Sequence, residues 1–143
     1  MGGRGTASYG SSLTAQKRDA VTFLKAIAEN YGSSNTARDR EFAEIANAAA
    51  GMVDNGKAAE LNADKNFNRI LFTAKEWGHP FSGHGEKSML DNALSGDNKP
   101  MGMEDSEWQT FGRLVKETTS RGFTTAEIAA LLRFDERLYE VWR

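Results

Sequence analysis

The 143-residue sequence contains no cysteine, which excludes disulfides, thiol nucleophiles, thiolate zinc sites and iron–sulfur clusters together. An excess of either charge sign is also missing: 18 basic residues face 20 acidic ones, for a net charge of -2. No bulk field therefore draws the chain to phosphate backbones or anionic lipid, and it is not acidic enough to mimic DNA by charge alone. No apolar run approaches the roughly 20 residues needed to cross a bilayer, and no hydrophobic stretch follows Arg4 as a signal peptide would require. Period-two alternation with β-branched enrichment is absent too, so strands have no support. Against these absences stand eight Phe, three Trp and three Tyr within a hydrophobic fraction of 39%, enough core material for one domain. A mean hydropathy of -0.58 and fourteen Gly indicate that part of the chain is loop or tail.

The expected fold is all-α, an irregular bundle of six to seven short helices preceded by a flexible tail. Residues 1–12 (MGGRGTASYGSS) bury too little apolar surface to offset their ordering entropy and are assigned to that tail, with residues 13–143 as the single helical domain. From Leu13 to Tyr31, apolar residues recur every three or four positions until Gly32 ends the pattern. Thr36 with Asp39 resembles a capping box for a second helix, whose Ala46, Ala48, Ala49 and Ala50 permit close helix packing before the turn at Asp54-Asn55-Gly56. A short piece to Asn62 and a face of Phe67, Ile70, Leu71, Ala74 and Trp77 come next, ending at Gly78-His79-Pro80.

Residues 78–103 form the least regular internal stretch, holding both Pro and both His around one helical candidate at 86–94. After it, Asp105 or Ser106 can cap a helix on which Trp108, Phe111, Leu114, Val115 and Thr118 share a face. Thr124 with Glu127 is a fuller capping box for a helix with Ile128, Leu131 and Leu132 inward, and Asp135 is expected to cap a last helix.

Residues 125–142 resemble a helix-turn-helix, with Ala129 at the small contact position, Phe134 in the turn and Tyr139 packing back. That resemblance implies DNA contact by Arg133, Arg137, Tyr139 and Arg143. The segment from Glu104 onward nevertheless holds eight acids against six bases, and a plain helical corner closing the bundle is the competing reading. The His79 and His84 pair lies in a Gly-rich loop without a third ligand in register, and Ser82 lies in no nucleophile motif. No catalytic residue, metal site or cofactor is expected. Arg38, Arg40 and Arg69 are candidates for clamping a nucleotide, although no phosphate-binding fingerprint accompanies them.

The opening MGGRG with its Gly- and Ser-rich continuation resembles the start of small tailed-phage and prophage accessory proteins. The resemblance implies either a head-associated component or a counter-defence protein of the anti-CRISPR kind, acting in the host cytoplasm. Together these readings lead to the expectation of a non-enzymatic protein that binds a host protein complex. The loop at 78–103 with Trp77, His79, Phe81 and His84 is its expected interface, because aromatics flanked by polar loop residues make interface anchors. DNA binding, a nucleotide-signal sponge and a head-associated role are the alternatives.

Overall fold

In a computed structural model the chain forms α-helices in the order α1 (Arg4–Gly32), α2 (Ala37–Asn55), α3 (Lys57–Asn62), α4 (Lys65–Trp77), α5 (Glu86–Ser95), α6 (Asp105–Ser120) and α7 (Thr125–Trp142). The structure describes residues 4–78 and 85–142, with side chains described for residues 14–78, 85–134 and Val141. No strand occurs among the described residues, in keeping with the all-α expectation.

Local chemistry accounts for most boundaries. Helix α1 presents Ala20, Leu24 and Ala28 at four-residue spacing, and α2 answers with buried Ala43, Ala46, Ala49 and Ala50. These small residues line the seam of an α1–α2 hairpin joined by four residues. The backbone of α1 includes residues 4–12, which composition assigns to a tail; among its described side chains, which start at residue 14, the first buried one is Ala20.

At the start of α2 the Asp39 N–H donates to Thr36 Oγ1 at 3.2 Å, half of the expected capping box. The Asp39 carboxylate instead accepts from Ser34 Oγ at 2.8 Å. The turn at Asn55-Gly56 behaves as its residues demand: Gly56 takes φ 75°, and Asn55 Oδ1 accepts from the Lys57 N–H.

Two boundaries differ from expectation. The N-cap of α6 is Glu104 rather than Asp105 or Ser106, because the Glu107 carboxylate reaches back to the Glu104 N–H at 3.0 Å. The second difference is larger: α7 runs unbroken from Thr125 to Trp142, where a turn at Arg133–Phe134 and a new cap at Asp135 are expected. The Thr124–Glu127 capping box does form, with reciprocal bonds of 2.8 and 3.1 Å. No left-handed residue follows to stop the helix, since Arg133 stands where a turn calls for Gly. Two helices meeting at an angle, the geometry that would carry a helix-turn-helix, are thus not formed by residues 125–142.

Helix α7 is the spine of the molecule. Ala126, Ile128, Ala129, Ala130 and Leu131 are all buried, so more than one face of its first half is covered, and it contacts α1, α2, α3, α4 and α5. Helix α6 packs between α4 and α5, and its expected face of Trp108, Phe111, Leu114, Val115 and Thr118 is buried throughout.

Candidate partner-binding groove

Helices α4 and α6 lie antiparallel, and each end of the pair is tied by a specific contact. At one end Asp64 caps α4 by accepting from the Asn66 and Phe67 N–H groups at 2.9 and 3.0 Å. The same carboxylate takes a bidentate bond from Arg121, at the end of α6, at 2.6 to 2.8 Å. Burial alone would raise the Asp64 carboxyl, but the Phe67 N–H, the Arg121 guanidinium and the Asn66 N–H together hold it below the usual carboxylate range. One turn further in, Asn66 Nδ2 donates to Glu117 at 2.8 Å. At the other end the half-buried Trp77 indole lies against the Gly102 turn, where a Cβ would sit 3.7 Å from the ring at φ 90°.

Between these ties runs a groove of about 580 Å³. Met103, Phe111 and Leu114 form its apolar floor, Phe72, Thr73 and Trp77 one wall, and Asn68, Arg69, Glu76, Ser106, Glu107 and Thr110 its polar surround. Phe72 is 67% exposed, and Met101, two residues before Met103, is 97% exposed. A ring left in water at the lip of an apolar groove, with a polar rim around it, has the composition of a protein-docking surface.

Of the expected interface residues, Trp77 lines this groove, while His79, Phe81 and His84 lie outside the described residues. Phe72 is not among the residues expected there, whereas Met103 ends the 78–103 stretch that is. Phe72 carries a legible signal: it stands off the Phe67–Ile70–Ala74 stripe, on the face that helical spacing turns to solvent. Met103 reaches the groove because the chain's return into α6 brings it beside α4.

The nucleotide clamp is not assembled. Arg69 lines the α4–α6 groove, Arg38 lines a separate pocket of about 210 Å³, and the Arg40 guanidinium donates to the Ser34 carbonyl at 2.9 Å. The smaller pocket joins Arg38 to Arg133, but Asp39, Glu41 and Glu86 line it as well, and three carboxylates beside two guanidinium groups do not favour an anion.

Arg133 is committed within that pocket: its guanidinium lies 5.0 Å from the centre of the Phe42 ring and pairs with buried Glu86 at 3.3 Å. Phe42 in turn meets Tyr31 edge-on at 5.1 Å and stacks on Phe134 at 5.9 Å. Nearby, Glu41 sits against the Gly85 N-cap of α5 and accepts from Ser88 Oγ. Arg133 therefore joins α7 to α5 and α2 instead of standing free for a duplex. The side chains of Arg137, Tyr139 and Arg143 lie outside those described.

Among the described residues no three His, Asp or Glu side chains gather to hold a metal ion, and no helix is long and apolar enough to cross a membrane. No protein-family model, no curated protein and no solved structure matches the chain.

Proposed function

We propose that this chain is a non-enzymatic binding protein that takes an amphipathic helix of another protein into the groove between α4 and α6. The observation that carries the reading is the placement of Phe72, largely exposed beside an apolar floor of Met103, Phe111 and Leu114. A trough between two antiparallel helices suits a third helix that presents apolar residues on one stripe. Covering Phe72 gains about 1.5–3 kcal/mol, the scale of an interface anchor. The N-terminal resemblance to phage and prophage proteins supports the narrower reading of an accessory protein directed at a host protein complex, of the counter-defence type.

The test uses the full chain with a photo-activatable residue at Thr73, expressed in the cells that make it. Crosslinking to one protein, lost on Phe72→Asp and kept on Lys25→Asp, is the expected result. A crosslink that survives Phe72→Asp, or one to DNA in place of protein, overturns the reading.

A further inference from the structure

The solvent-facing stripe of α4 carries opposite charges at equal distances from its midpoint. Arg69, Phe72 and Glu76 follow one another at spacings of three and four, placing a base and an acid on either side of an exposed ring. Among the described residues neither Arg69 nor Glu76 has an ion-pair partner. Seven residues of helical rise separate their backbones by about 10 Å, and they form no ion pair with each other. A charge pattern antisymmetric about a point between Phe72 and Thr73 is what a two-fold axis requires. Laid antiparallel across that axis, two copies of α4 bring Arg69 opposite Glu76 of the partner subunit, and Glu76 opposite Arg69 of the partner subunit. Each Phe72 then lies beside Thr73 of the partner subunit, at the lip of the groove that Thr73 lines.

We infer that a second copy of this chain covers the groove in the free protein, through an antiparallel α4–α4 contact. The inference rests on the groove being a docking surface, and it adds regulation to that reading: dimer formation and partner capture compete for Phe72.

Charge reversal tests the arrangement with a readout that misfolding cannot imitate. Arg69→Glu places two acids opposite each other at both symmetry-related pairs, and Glu76→Arg places two bases there. Sedimentation equilibrium should show the wild type dimerising, and each single variant dimerising at least about tenfold more weakly. An equal mixture of the two variants should regain wild-type affinity, because in the mixed dimer both pairs again bring an acid opposite a base. The Arg69→Glu/Glu76→Arg double variant should regain it alone.

A wild type that stays monomeric to high concentration, or a dimer indifferent to either reversal, overturns the inference. Neither result touches capture of another protein at Thr73, so failure of the dimer and failure of the docking reading are separable.

Discussion

Gly112 and Gly51 are both interior helical glycines, and their surroundings give them opposite roles. A Cβ on Gly112 would lie 2.5 Å from the Ala93 carbonyl oxygen, where α5 crosses α6. Backbone in a packed helix does not yield to it, so Gly112→Ala should destabilise the protein by about 1–3 kcal/mol. A Cβ on Gly51 meets nothing within 4 Å, and Gly51→Ala at this exposed position of α2 should stabilise by about 0.5–1 kcal/mol through the backbone entropy of the unfolded chain. Urea denaturation of both variants checks the pair, and a shared sign would contradict the close α5–α6 approach. Trp108 offers a second case: its ring is buried and stacks on Phe111 at 5.8 Å, but its indole N–H meets no acceptor among the described residues. An unpaired buried donor costs about 1–3 kcal/mol, which offsets much of the volume lost in Trp108→Phe. That variant should stay within about 1 kcal/mol of wild type, whereas Phe111→Ala should lose about 3–5 kcal/mol.

At the scale of single elements, the sequence was most legible where residues within one turn decide the outcome. The Trp108-to-Thr118 face of α6, the Thr124–Glu127 box and the Gly56 turn all depend on neighbours no more than four positions apart, and all are found. The break expected before Asp135 failed because Asp is both a cap former and a tolerated helical residue; the flanking elements packed on α7 decide between those uses. Contacts across the chain were silent in the same way. Glu86 and Arg133 pair over 47 positions and Asp64 and Arg121 over 57, and neither pairing leaves a local pattern.

The second of these has a pH signature. The folded Asp64 carboxyl titrates below its unfolded value, so its contribution is complete above about pH 4 and is lost as pH falls through the folded pKa. Asp64→Asn keeps an acceptor for the α4 cap but not the charge facing Arg121. At neutral pH it should be less stable by about 0.5–1 kcal/mol, the scale of a partly exposed pair. Wild type and variant should converge in acid, and urea melts from pH 7 to 3 read the convergence directly. A constant gap would place the contribution of Asp64 outside its charge.

The whole molecule is organised around one helix, and this separates what equal core lesions do. Leu24 on α1 and Ile128 on α7 are both fully buried, and truncating either to Ala should cost about 2–5 kcal/mol by volume. Their neighbourhoods differ. Helix α1 rests on α2 and α7 at one side of the bundle, whereas α7 touches five other helices. A cavity beside Leu24 can be relieved by loosening α1 alone, leaving the packing of α4, α5 and α6 intact. One beside Ile128 has no such local outlet, because every helix that moves to fill it carries its own contacts along. Amide hydrogen exchange should therefore show Leu24→Ala losing protection chiefly in α1 and the facing side of α2. Ile128→Ala should lose it across α2, α3, α5 and α7 together. Loss confined to α7 in the Ile128→Ala protein would mean that the spine opens independently, and that the bundle holds together through the α1–α2 hairpin and the α4–α6–α5 layer without it.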